Sequence, residues 1–133
     1  MSRKFLLIAS ISGAASVALG AFGAHLLKDL LPESQFQIYE TGVRYQFYHT
    51  FALIAVVILR RYLSHRWTGI AGWLFIAGIV FFSGSLYLLA FADEWVMQKL
   101  RLVLGPMTPF GGLLFMAGWL ALFRAGMDYK KKE

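Results

Sequence analysis

Ile79-Val80-Phe81-Phe82-Ser83-Gly84-Ser85-Leu86-Tyr87-Leu88 sits late in a long apolar run and carries two serines, a glycine and a tyrosine. A helix surrounded only by lipid would carry none of these, because a polar side chain in hydrocarbon needs a protein partner. The stretch therefore reads as the outer half of a membrane-spanning helix with one face against other spans. The chain around it supports that reading. Of its 133 residues 59% are hydrophobic and its mean hydropathy is +0.61. Soluble domains run at about 45–50% apolar. The surplus has to face lipid.

Cysteine is absent, which excludes disulfides, iron–sulfur clusters and thiol nucleophiles. The net charge of +6 is not a nucleic-acid signal. The charges stand at the ends of apolar runs, as membrane proteins place them. The expected partner is the lipid bilayer, with a homo-oligomer or a partner membrane helix left open and no nucleic acid.

Arg3 and Lys4 precede an uncharged run from Phe5 to Leu27. At about 1.5 Å per residue it is about 34 Å long, enough to span. Ser12, Ser16, Gly20 and Ala24 recur along it every fourth position, a stripe that lets a second backbone approach. The rival reading is a cleaved signal peptide with Ala21 and Gly23 at the cleavage site. The length of the run and its packing stripe disfavour it. After Pro32, the spacing of Phe36, Tyr39, Val43 and Phe47 predicts a short amphipathic interfacial helix leading into the second span, with Gly42 allowing a bend. Four spans result, at about residues 5–27, 43–62, 67–92 and 106–123, followed by a basic tail over 124–133. A second interfacial helix is expected around Trp95, Val96, Leu100 and Val103, with Lys99 and Arg101 at the headgroups. Gly105-Pro106-Met107-Thr108-Pro109 breaks regular structure before the fourth span. The fold class is an all-α, antiparallel four-helix transmembrane bundle forming one membrane domain.

Gly72-Trp-Leu-Phe-Ile-Ala-Gly78 and Gly112-Leu-Leu-Phe-Met-Ala-Gly118 agree at five of seven positions. They read as one packing solution used in two oppositely directed spans, at different depths. Basic residues set the orientation. Arg3, Lys4, Arg60, Arg61, Arg66, Arg124 and Lys130 to Lys132 stand on the side of the termini. Lys28, Arg44, Lys99 and Arg101 stand on the other. Nine against four places both termini in the cytoplasm.

In that topology, polar residues of all four spans collect toward the outside. His25 ends the first span, Tyr45, Gln46 and His49 begin the second, Ser83, Ser85 and Tyr87 end the third, and Thr108 begins the fourth. These eight form the candidate polar pocket. Two histidines without a carboxylate or cysteine at their depth make a poor metal site, so no metal and no cofactor is expected. A serine nucleophile with a histidine base lacks the Gly-x-Ser-x-Gly elbow, so no catalytic residue is assigned. Glu40 and Arg44 are four apart on one helical face and are expected to pair. Trp67, Trp95 and Trp119 read as interfacial anchors or packing residues.

Gly20-Ala21-Phe22-Gly23-Ala24-His25, Tyr45-Gln46-x-x-His49, Phe82-Ser83-Gly84-Ser85-Leu86-Tyr87 and Gly105-Pro106-Met107-Thr108-Pro109-Phe110-Gly111-Gly112 with Gly118-Trp119 closely resemble the YgdD/YwdK-like family. These are small multi-pass proteins of the bacterial inner membrane, of unknown function. The motifs occur in order over nearly the whole chain. The resemblance implies a four-span inner-membrane protein and carries over no catalytic or binding residue. The residues point first to a non-enzymatic membrane protein whose outer-leaflet polar pocket takes a small molecule, a lipid headgroup or a partner helix. The alternatives are a small transporter or channel subunit, and a membrane enzyme using His49.

Overall fold

The computed structural model describes residues 1–92, 98, 99 and 102–129. Among them there is no strand, and four helices are long and apolar enough to cross a membrane. They are α1 (Ser2–Leu30), α2 (Glu33–Leu59), α3 (His65–Ala90) and α4 (Met107–Met127, led in by residues 102–104). α1 and α3 each contain one π turn, at Gly23–Leu27 and Ile79–Ser83.

Local chemistry sets the ends. Pro32 stands at the cap of α2, where its missing N–H costs nothing, and its carbonyl accepts from the Phe36 amide at 3.0 Å. The amphipathic helix expected after Pro32 is not a separate interfacial element. It forms the first turns of α2, which runs on past Gly42 as one 27-residue helix. The reason is packing. Gly42 has no room for a side chain, since a Cβ there would stand 2.9 Å from the Tyr87 ring, so the glycine serves close approach rather than a bend. The interfacial helix expected around Trp95 to Arg101 lies mostly outside the described residues. At the opposite end, the Arg60 guanidinium donates to the His65 carbonyl at 2.7 Å and to Thr68 Oγ1 at 3.3 Å, tying the α2–α3 turn. Arg66 and Arg124 each place a guanidinium 5.8 Å from the Trp67 ring. Two cations thus lie within range of the Trp67 ring at the basic end of the bundle.

Contacts fix the antiparallel order. Ser12 meets Thr50 and Leu19 meets Tyr39 across α1 and α2. Gly42 meets Tyr87 across α2 and α3, and Ser85 meets Thr108 across α3 and α4. The core of the basic half is apolar: Phe5, Ala9, Leu53, Val56, Ala71, Phe75 and Phe115 are buried there.

The repeated heptads decide how α3 meets α4. The Phe75 ring lies over Gly118, where a Cβ would stand 2.6 Å from it, and the Phe115 ring lies over Gly78 in the same way. Each heptad inserts its phenylalanine onto the last glycine of the other. The shared packing solution is therefore reciprocal. The two heptads lie alongside each other, staggered by three residues, since Phe75 faces Gly118 and Phe115 faces Gly78. Phe5 makes a third such contact over Gly72, 2.5 Å from a hypothetical Cβ, and brings α1 onto α3. Between helices in lipid there is little hydrophobic drive, so dispersion at these close approaches supplies the cohesion.

Gly78→Ala should lower stability in detergent by about 1–3 kcal/mol through overpacking, and Gly78→Ala with Phe115→Leu should recover part of the loss. Gly84→Ala, which meets nothing within 4 Å, is the neutral control. Equal unfolding midpoints for Gly78→Ala and Gly84→Ala would refute the lock.

Candidate functional site

Seven of the eight candidate residues divide by their contacts into three groups, each built from facing helices, and His25 stands apart.

The first group joins the middle of α1 and α2 to the last turn of α3. Gln46 is buried and donates through Nε2 to the Ser12 carbonyl at 3.1 Å. Its Oε1 accepts from the Tyr87 hydroxyl at 2.7 Å. Thr50 donates to the Gln46 carbonyl at 2.8 Å, so its single proton is used. The 2.7 Å contact between Ser12 and Thr50 is then a hydrogen bond donated by Ser12. Every polar atom in this ladder has a partner, as hydrocarbon surroundings demand. The second group is a pair between α3 and α4. Ser85 donates to the Phe82 carbonyl at 2.9 Å and accepts from Thr108 Oγ1 at 2.6 Å. Beside it Ser83, in the π turn, is fully buried. Its Oγ is the one buried side-chain oxygen among the described residues without a hydrogen-bond partner.

The third group surrounds His49. Its ring lies flat on Phe115, with centroids 3.4 Å apart and planes at 8°. Nδ1 is 2.8 Å from the Tyr45 carbonyl and Nε2 is 3.4 Å from the indole nitrogen of Trp119. A carbonyl only accepts and an indole N–H only donates. Both contacts are met by the neutral tautomer that carries its proton on Nδ1. Tyr45 is 38% exposed and stacks at the edge of this group, its ring 4.7 Å from Phe82. Trp119 is thus a packing partner of His49 and Phe75 rather than an interfacial anchor. His25 is exposed in the α1 π turn and shares no hydrogen bond or ring contact with the other seven. Among the described residues no three His, Asp or Glu side chains gather as a metal site.

An open groove lies elsewhere, between α1 and α2. It has a volume of about 510 Å³ and runs along the C-terminal half of α1 and the N-terminal half of α2. One wall is small, with Ser16, Gly20, Ala21 and Ala24 from α1. The other carries Tyr39, Val43 and Phe47 from α2. Buried Tyr39 anchors the floor, its hydroxyl donating to the Leu19 carbonyl at 2.7 Å and its ring filling the space left by Gly23. The π turn of α1 begins at that glycine, and π turns are frequent at functional sites. Glu40 and Arg44 line the groove. The pairing expected of them is absent. Among the described residues the ion pair is Arg124–Asp128, at 2.5 Å. The small-residue stripe and the two charges were visible in the sequence. Their combination into an open groove depends on how far Tyr39 holds α2 from α1.

The family described as protein of unknown function (DUF423) matches residues 19–112. The chain is 38% identical over 132 residues to the UPF0382 membrane protein YwdK of Bacillus subtilis, covering 96% of this chain and 98% of that one. It is 37% identical over 131 residues to the UPF0382 inner membrane protein YgdD of Escherichia coli, covering 98% and 95%. A UPF0382 membrane protein of Haemophilus influenzae is 40% identical over 124 residues, covering 92% of each chain. No solved structure matches.

Tyr87→Phe strands the Gln46 oxygen and should cost about 1–2 kcal/mol, measured by chemical unfolding in detergent. The neighbouring serines should diverge. Ser85→Ala should destabilise, whereas Ser83→Ala removes an unpartnered hydroxyl and should be neutral or stabilising. Loss of stability in Ser83→Ala as large as in Ser85→Ala would contradict this division.

Proposed function

The chain belongs to the UPF0382 (DUF423) family of membrane proteins, and from that premise we propose that it is a binding protein of the bacterial inner membrane rather than an enzyme. Both termini face the cytoplasm, and the α1–α2 groove opens to the outer leaflet, where it holds a lipid-like amphiphile. The observation that carries this reading is the groove itself. It is an apolar trough of about 510 Å³ with an arginine and a glutamate on its lining, neither paired to the other. Apolar concavities with a few placed polar groups are the usual form of small-molecule sites. Ionisable side chains at membrane depth mark functional positions by default.

The polar residues named from the sequence act in this reading as locks. Gln46, Tyr87, Ser85 and Thr108 are satisfied by protein partners and are not free for a ligand. An enzyme using His49 is less well supported. Both ring nitrogens are engaged and one face is covered by Phe115, which leaves no base aimed at a substrate.

Native mass spectrometry of the intact protein, released from mild detergent, should find a defined lipid-sized adduct. Ala21→Trp, which fills the groove, should lose it while unfolding at a similar temperature. A bare wild-type protein, or an adduct that survives Ala21→Trp, would sink the proposal. A fluorescent-protein fusion at the C-terminus should glow and a periplasm-dependent phosphatase fused there should be inactive; the opposite pattern would reverse the topology.

A further inference from the structure

Resting on that groove as the binding site, we propose that its occupant is a phospholipid whose headgroup carries a phosphate and a primary ammonium, with Arg44 taking the phosphate and Glu40 the ammonium. Depth is the first support. Arg44 stands sixteen residues along α2 from Arg60, the basic residue at the other end of the helix. That is about 24 Å at about 1.5 Å per residue, against a hydrocarbon core of about 30 Å. Arg44 therefore starts below the outer surface. Glu40 is one turn, about 6 Å, further out. Side chains on a helix lean toward its N-terminus, which for α2 is the outer end, so both reach toward the headgroups.

Charge is the second support. α1 is uncharged from Phe5 to Leu27 and offers neither residue a counter-ion. Glu40 and Arg44 make no hydrogen bond or ion pair among the described residues. An ionised Arg44 below the hydrocarbon surface without a partner is costly, and Glu40 stands at the boundary above it. A ligand that brings both opposite charges removes the cost.

The order of the charges selects the ligand. In a phospholipid the phosphate lies next to the glycerol and the amine lies beyond it. The deeper cation and the outer anion of this groove match that sequence. A headgroup with phosphate alone satisfies Arg44 and leaves its negative charge beside Glu40. A quaternary ammonium has no N–H to donate to the carboxylate. The trough below, with Val17, Ala21, Val43 and Phe47, takes the acyl chain.

The test titrates delipidated full-length protein in detergent with equal amounts of phosphatidylethanolamine, phosphatidylglycerol and phosphatidylcholine, and reads retained lipid by native mass spectrometry. The expected result is a preference of about tenfold for phosphatidylethanolamine, the size of one charge-assisted hydrogen bond. Glu40→Gln should erase the preference and keep retention, whereas Arg44→Gln should weaken all three lipids. Both side chains are exposed and unbonded, so the variants should fold, and thermal unfolding checks this. Equal retention of the three lipids, or a preference that survives Glu40→Gln, overturns the headgroup assignment. If Ala21→Trp still abolishes retention in that case, the groove stands without it. No retention, or retention indifferent to Ala21→Trp, removes the groove as well.

Discussion

The reciprocal seating of Phe75 on Gly118 and Phe115 on Gly78 is the contact on which the bundle depends. Lipid tails are as apolar as leucine, so spans associate only where their surfaces fit closely enough for dispersion to favour protein over lipid. Two rings entering two glycine gaps give that fit and also set the register of α3 against α4. One residue of slip would bring a ring against a side chain. His49 then stacks on the Phe115 ring and brings α2 to the pair. Gln46, one turn outward, carries α2 to α1 through Ser12 and to α3 through Tyr87. Each later contact presupposes the earlier one.

The polar residues of the core obey one rule: each donor and acceptor is matched inside the protein, because hydrocarbon offers no substitute. The Ser12–Gln46–Tyr87 ladder and the Ser85–Thr108 pair make interhelical contacts that lipid cannot replace. They hold the helices together. Ser83 departs from the rule at the π turn of α3, where the backbone is already displaced from regular geometry. The charges of α2 depart from it differently. Glu40 and Arg44 are left open to the groove, and that openness carries the functional proposal.

Some expectations met a different outcome, for identifiable reasons. An interfacial helix after Pro32 was a fair reading of the spacing of Phe36, Tyr39 and Val43. Spacing cannot tell a helix lying on a membrane from the outer turns of a long span. The structure shows one continuous helix whose first turns pack against α1 and α3. The matching heptads signalled packing, yet their stagger is invisible until two helices are docked. Pairing of Glu40 with Arg44 follows from spacing alone, and the spacing was right. The two side chains line the groove without meeting.

What the amino-acid sequence determined by itself was the all-α class and the number of helices apolar enough to cross a membrane. Apolar length, charge placement and small-residue stripes are local quantities, and the bilayer reads them one segment at a time. Family membership was legible for the same reason, since its motifs lie in order along the chain. Which polar residues meet was decided only in three dimensions. Gln46 finds Ser12 and Tyr87, and His49 finds Trp119, because helix rotation and register are set by ring-on-glycine contacts between segments distant in sequence. The groove likewise exists only as the space that Tyr39 and the small face of α1 leave between two packed helices. A cavity has no residue of its own, so no stretch of sequence spells it.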